Sequence, residues 1–233
     1  MTAIGGKTAL IIGASRGLGH ALAAEYLDRG WQVTATVRGG GRTALHDLAD
    51  TARGHLVVEN VDITVPDQVA ALRDRLARSV FDLLFINAGV TNRPEETAAD
   101  VPTDTFVHLM VTNALSPVRV VERLRDLVAP NGTIAVMSSG QGSIANNDRG
   151  GFEIYRASKA ALNQMMRSYA ARHADDPRTL LLMAPGWVKT DLGGPGARLT
   201  IDQSIPGVVD TVEAHATEGG LHYLDYQGQI VRW

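Results

Sequence analysis

The stretch Thr8-Ala9-Leu10-Ile11-Ile12-Gly13-Ala14-Ser15-Arg16-Gly17-Leu18-Gly19-His20-Ala21-Leu22 decides the fold. Its opening, Thr8–Ile12, is a continuous apolar run of strand length. A glycine-rich turn follows, and from Leu18 to Arg29 the apolar spacing is helical. Strand, glycine turn and helix in that order make a phosphate site. Glycines let the backbone turn sharply and approach a pyrophosphate, and free N–H groups at the helix start face the anion. The residues placed to do so are Gly13, Ser15, Arg16, Gly17, Leu18 and Gly19. The spacing is Gly-x3-Gly-x-Gly rather than GxGxxG, and no Gly-Lys-Ser/Thr follows, which excludes a Walker A loop. A glycine-rich turn without a ligand is the alternative at this point.

Outward from that stretch, apolar runs recur at Trp31–Val37, His55–Val61, Phe81–Ile86, Thr133–Met137 and Leu180–Ala184. Helical patterns separate them at Arg42–Ala52, Pro66–Ser79, Thr103–Ala129 and Tyr155–His173. Continuous apolar strands alternating with helices require a mostly parallel sheet covered on both faces, a doubly wound α/β fold. A last helix is expected over about Gln203–Thr217, then an edge strand at Leu221–Asp225 and a hairpin-like finish through Gly228 to Ile230–Trp233. Thr103–Ala129 is apolar nearly all round, so more than one side must be covered, by sheet and neighbouring helix or by a second copy of the chain.

A length of 233 residues without linker or repeat points to one domain over 1–233. With 45% hydrophobic and 20% charged residues the chain is not mostly disordered. A net charge of −3 argues against nucleic-acid and anionic-membrane partners, which demand basic excess. The absence of cysteine excludes disulfides, thiol catalysis and Cys-ligated metals. The seven histidines show no i, i+4 pair and no HExxH, so no metal is expected. Arg73, Arg75 and Arg78 alternate with apolar residues and read as a solvated helix face. No run of ~20 apolar residues is long enough to span a bilayer, and no basic stretch precedes a long apolar run at the start. The expectation is a cytoplasmic location.

Charge also speaks to the nucleotide. An NAD site usually carries an acidic residue at the end of the second strand for the ribose 2′-hydroxyl. Here that strand ends Ala35-Thr36-Val37-Arg38-Gly39, without a carboxylate. Arg16 and Arg38 instead suit a 2′-phosphate, which a guanidinium fork binds bidentately. NADP(H) is therefore expected, with NAD(H) as a lesser possibility.

Tyr155 and Lys159 stand four apart on a predicted helix and share a face. A nearby ammonium favours phenolate and would lower the tyrosine from its usual value near 10, toward acid–base work. Only three of the 22 basic residues are lysines, Lys7, Lys159 and Lys189, which marks an internal lysine as answering a specific demand.

Together with Asn87-Ala88-Gly89, Asn113, Ser138-Ser139 and Pro185-Gly186, in this order along nearly the whole chain, these motifs resemble the short-chain dehydrogenase/reductase family. More narrowly, Ser138–Ile144, Tyr155–Asn163 and Pro185–Asp191 resemble the C-factor-like and sniffer-like carbonyl reductases. The resemblance implies a Rossmann-type fold and hydride transfer between a nicotinamide and a small carbonyl or alcohol substrate. It makes Tyr155 the proton donor, with Lys159 lowering its pKa and holding the nicotinamide ribose. Ser139 would bind the substrate oxygen, and Asn113 would hold a relay water. Asp62 would meet the adenine, Asn87-Ala88-Gly89 would form the cofactor floor, Val188 and Thr190 would fix the carboxamide, and Ile63, Pro185 and Gly186 would also bind the cofactor. A homodimer or homotetramer is implied as well.

Certain features depart from the family pattern. Ile12 stands where a threonine hydroxyl is common. Ser143, twelve residues before Tyr155, competes with Ser139, which lies sixteen before it. Gly193-Gly194-Pro195-Gly196 is a short substitute for a substrate lid, and Trp187 beside it either packs or lines the pocket. Pro117 has no N–H, so the carbonyl of Asn113 should lose its helical partner and the helix should bend there. Competing functions are a nucleotide-binding sensor of the C-factor type that needs no turnover, and an epimerase or dehydratase on the same scaffold.

Overall fold

The structure, a computed structural model, describes residues 6–233. The start of the expected 1–233 domain and the N-terminal end read for a leader lie outside the described residues. Seven strands form one sheet: β1 Thr8–Ile12, β2 Gln32–Val37, β3 Leu56–Asn60, β4 Phe81–Ile86, β5 Val128–Met137, β6 Thr179–Ala184 and β7 Gly220–Asp225. Their order is β3-β2-β1-β4-β5-β6-β7 and every neighbouring pair is parallel. The helices are α1 Gly17–Asp28, α2 Ala44–Thr51, α3 Pro66–Arg75, α4 Thr103–Met110, α5 Ser116–Leu124, α6 Glu153–Arg172 and α7 Ile201–Ala214. This is the doubly wound α/β fold that the alternation predicts.

β1 shows how one strand serves two layers. Side chains alternate along a strand. Leu10 and Ile12 enter a core with Val121 of α5 and Leu162 and Met166 of α6. Ala9 and Ile11 enter the opposite core with Leu22 and Tyr26 of α1 and Val209 of α7. Burying each such large aliphatic side chain contributes about 1.5–3 kcal/mol, so an unbroken apolar strand is stabilised from both faces. The strand order reverses between β1 and β4, and the crevice beyond their C-terminal ends is where such sheets bind ligands.

The expected long helix over 103–129 is interrupted. α4 gives way to a π turn at Val111–Leu115, then α5, then a 3-10 turn at Arg125–Leu127. Pro117, which cannot donate to the helical ladder, lies just after the π turn. Val128 and Ala129 belong to β5, not to the helix. Arg178 fixes that start by donating from Nε and Nη2 to the Val128 carbonyl at 3.0 and 2.7 Å, and Pro130 forbids further helix. On α5, Val118, Val120, Val121 and Leu124 are buried, while α4 leaves Phe106 and Val107 exposed.

α7 begins two residues before its expected start because Thr200 and Gln203 cap it reciprocally. Thr200 Oγ1 accepts from the Gln203 N–H at 3.3 Å, and Gln203 Oε1 accepts from the Thr200 N–H at 2.8 Å. After β7 the chain folds back, with the Val231 N–H donating to the Tyr223 carbonyl at 2.8 Å. Arg232 Nε reaches Asn146 Oδ1 at 2.9 Å, and Trp233 packs on Tyr223 with ring centroids 5.4 Å apart. The hairpin-like finish is thus tied to the loop beyond β5.

Candidate active site

A cavity of about 650 Å³ opens beyond the C-terminal ends of the central strands. Its wall carries Gly13, Ser15, Arg16, Gly17, Leu18, Arg38, Asp62, Ile63, Asn87, Ala88, Gly89, Ser139, Tyr155, Lys159, Pro185, Gly186, Val188 and Thr190. Of the residues singled out in the sequence, Gly19 and Asn113 stand behind the wall, not on it.

The nucleotide end is a backbone construction. Gly13 has φ +88°, and a Cβ there would lie 2.9 Å from Ala88. A Cβ on Gly19 would lie 2.1 Å from the Gly13 carbonyl oxygen. Asn87 Nδ2 donates to that carbonyl at 2.8 Å, and the N–H groups of Asn87 and Ala88 donate to the Ile12 carbonyl at 2.9 and 3.1 Å. Thr36 Oγ1, on β2, accepts the Gly13 N–H at 2.9 Å. Neither Arg16, at the head of α1, nor any acid in the first turn caps that helix. Its N–H groups thus remain available to an anion at the cavity wall, where Gly17 and Leu18 lie. These residues fit a dinucleotide pyrophosphate.

Arg38 extends from the end of β2 into solvent. Arg16 makes an ion pair with Asp191 at 3.2 Å, both side chains largely exposed. Asp62 Oδ1 accepts from the Thr64 N–H and hydroxyl at 2.9 and 2.7 Å. Burial works to raise that carboxyl, but the Thr64 bonds, with Arg38 and His108 nearby, hold it below its ordinary value.

The reacting end is made of buried side chains. Tyr155 and Lys159 share the inner face of α6, and Ser139 follows β5. Burial pushes the Tyr155 phenol up to about 12, against the lowering effect of a hydrogen bond with Ser139. Burial pushes the Lys159 ammonium down to about 8. The expected lowering of the tyrosine by the lysine is therefore corrected. Lys159 Nζ donates to the Met137 carbonyl at 2.9 Å and sits 5.9 Å from the Tyr155 ring centroid, and desolvation of the phenol dominates. The phenol consequently keeps its proton at neutral pH.

Asn113 acts as a brace. Its Oδ1 accepts the Val90 N–H at 2.8 Å, and its Nδ2 donates to the Val90 carbonyl at 2.8 Å and to Ser158 Oγ at 3.0 Å. Ser158 in turn donates to the Tyr155 carbonyl at 2.7 Å. The π turn is centred on Asn113, where the bend is expected from Pro117. Gly89 lies beside both groups: a Cβ there would stand 3.4 Å from Asn113 Oδ1 and 3.5 Å from Lys159 Nζ, ordinary contact distances.

Of the two candidate serines, Ser139 lines the cavity and Ser143 does not. The Ser143 hydroxyl is buried and accepts the Asn146 N–H at 3.1 Å. Trp187 lines the cavity while its Nε1 donates to the Gly193 carbonyl at 2.8 Å, so the indole tethers the short glycine segment. Thr190 Oγ1 accepts the Gly193 N–H at 3.0 Å. Val90, Phe152 and Val231 also line the cavity and were not singled out in the sequence. The glycine pair before Phe152 was the available signal for one of them. Among the described residues no cluster of His, Cys, Asp and Glu could hold a metal ion, and no helix is long and apolar enough to cross a membrane.

The short chain dehydrogenase family model matches residues 7–197. The chain is similar to the structure of a short-chain dehydrogenase/reductase from Burkholderia multivorans with bound NADP. The two are 60% identical with a TM-score of 0.96, covering 97% of this chain and 99% of that one. It is also similar to a carbonyl reductase from Pseudomonas aeruginosa PAO1 in complex with NADP, at 35% identity and a TM-score of 0.90, covering 98% and 100%. A third relative is the C-signal protein of Myxococcus xanthus, 34% identical over 154 residues, 65% of this chain and 92% of that protein.

Proposed function

We propose that this chain, which belongs to the short-chain dehydrogenase family, reduces an aldehyde or ketone to an alcohol with NADPH, Tyr155 giving the proton. The carrying observation is that the buried Tyr155 phenol, Ser139 and Lys159 lie together on the wall of the cavity that also receives the uncapped start of α1. Arg16 and Arg38 at the nucleotide end support NADPH over NADH, as do the NADP-bound structures of the two similar proteins.

NADPH, when bound, supplies a hydride to the carbonyl carbon. Tyr155 transfers its proton to the carbonyl oxygen, and Ser139 donates a hydrogen bond to the same oxygen, so negative charge never develops there unsupported. The Lys159 ammonium, on the next turn of α6, lies 5.9 Å from the Tyr155 ring centroid and is placed to hold the ribose of the cofactor. Asn113 keeps the Tyr155 turn in place through Ser158. Val188 and Thr190 border the nicotinamide end of the cavity.

The test is Tyr155→Phe. NADPH oxidation against a panel of aldehydes and ketones, followed by the cofactor's absorbance, should fall about 10²–10⁴-fold, with NADPH affinity unchanged within about twofold. Retention of a tenth of the activity or more would overturn the assignment of the proton donor. A nucleotide-binding sensor instead predicts tight NADPH binding by the wild-type chain with no oxidation against any carbonyl.

A further inference from the structure

Gly150, Gly151 and Phe152, directly before α6, have φ of +63°, +68° and +52°. Glycine enters that left-handed region freely, whereas for a bulky aromatic residue it is a genuine outlier. Crowding does not impose it at the glycines, because a Cβ on Gly150 or Gly151 would meet nothing within 4 Å. Hydrogen bonds hold the segment from both sides. The Phe152 N–H donates to the Pro94 carbonyl at 3.2 Å, the Arg156 N–H to the Phe152 carbonyl at 2.9 Å, and Arg156 Nε to the Gly151 carbonyl at 2.8 Å.

Phe152 lies on the cavity wall, three residues before Tyr155, and packs against the cluster of Leu109, Ile154 and Tyr155 beside Val90. Strained residues held by their surroundings cluster at reaction sites, and Phe152 is one such residue on this cavity wall.

We propose, resting on the reductase activity proposed above, that Phe152 is a specificity-determining residue. Its side chain forms the apolar surface against which the group attached to the reacting carbonyl packs, so ring-bearing carbonyls are favoured over small aliphatic ones. Val90 packs in the same cluster, and Trp187 and Val231 are further apolar residues of the same cavity wall.

The experiment compares benzaldehyde with propanal under NADPH for the wild-type chain, Phe152→Gly and Phe152→Leu. Phe152→Gly suits the left-handed backbone and removes only the side chain. It should raise KM for benzaldehyde at least tenfold and leave KM for propanal and the NADPH Kd within twofold. Phe152→Leu, which keeps apolar contact without a flat ring, should fall between. An unchanged benzaldehyde-to-propanal ratio in Phe152→Gly, or equal losses on both probes, overturns the proposal while leaving the reductase activity standing. Should glycine leave the segment unfolded, Phe152→Asn, which also tolerates the left-handed region, reads out the same ratio. A wild-type chain that oxidises NADPH with no carbonyl overturns the activity and this proposal with it.

Discussion

The two ends of the cavity are built from opposite materials. At the nucleotide end, from Gly13 to Gly19, the working surface is backbone: N–H groups left free at the head of α1, and at Gly13 and Gly19 no room for a Cβ. At the other end, Ser139, Tyr155 and Lys159 are side chains brought together from the turn after β5 and from α6. They are supported by Asn113 and Ser158 and by the Met137 carbonyl. A backbone site fails when an atom is added. A site of buried polar side chains carries a standing cost of desolvation, which disappears when the polar group is removed. One end therefore couples function to stability, and the other sets them against each other.

The largest expected effect breaks the nucleotide end. Gly19→Ala places a methyl 2.1 Å from the Gly13 carbonyl, a backbone atom that cannot swing aside. NADPH affinity should fall at least 100-fold and the thermal unfolding midpoint should drop with it, by calorimetric titration and a melting curve. If affinity is lost while the midpoint holds, the coupling of binding to local packing is wrong.

Lys159→Met should do the reverse at the reacting end, lowering kcat/KM about 10²-fold while stabilising the fold. The folded-state value is about 8 against an ordinary 10.5. Below pH 8 both folded and unfolded chains carry the proton, and the folded state bears the full cost of the buried charge, on the order of 3 kcal/mol. Losing the hydrogen bond to Met137 takes back about 1 kcal/mol. Between pH 8 and 10.5 the unfolded chain binds more protons, so the Lys159 contribution makes stability rise with pH across that window. The advantage of the methionine variant should therefore shrink over the same range in denaturant titrations at pH 7 and pH 10. Tyr155 works the other way. Its folded value near 12 lies above the ordinary 10, so its contribution falls as pH rises from 10 to 12. A methionine variant less stable than wild type at pH 7 would show that burial is not what depresses the amine.

Arg38→Asp sharpens the contrast within the nucleotide end, since it changes a side chain and spares the backbone. The ratio of kcat/KM for NADPH over NADH should fall about 10–100-fold, the worth of a charge-assisted contact, with melting unchanged. Equal use of both cofactors by the wild-type chain would defeat the expectation. The smallest effect belongs to Asp191→Asn, which removes the exposed pair with Arg16. Exposed ion pairs are screened and cost side-chain entropy, so KM for NADPH should move less than about threefold.

Much of the fold was legible because its signals are local. β1 and α1 follow from an apolar run ending in glycine, and the doubly wound sheet follows from the alternation repeated along the chain. Pro117 announced the break now seen as a π turn. Val128 and Ala129 read as helix in the sequence because their apolar character suits a buried helix end as well as a strand, and the Arg178 contact that fixes the strand start comes from 50 residues away. At the site, Ser139 and Ser143 could not be separated by spacing alone. Their difference is that one lines the cavity and the other is turned into the Asn146 loop. The Thr36 hydroxyl on the Gly13 N–H was equally invisible, since the two residues meet only across neighbouring strands.

Sequence by itself determined the strand–turn–helix that opens toward phosphate, the placing of Tyr155 and Lys159 on one helix face, and the arginines beside the expected ribose. Each depends on residues a few positions apart and on fixed backbone periods. Tertiary structure alone decided that the Lys159 amine reaches the Met137 carbonyl, that the phenol rises to about 12 and does not fall, and that Phe152 is held against the cavity. Charge states and cavity walls follow from how completely distant segments exclude water around a group, and that exclusion exists only once the layers have packed.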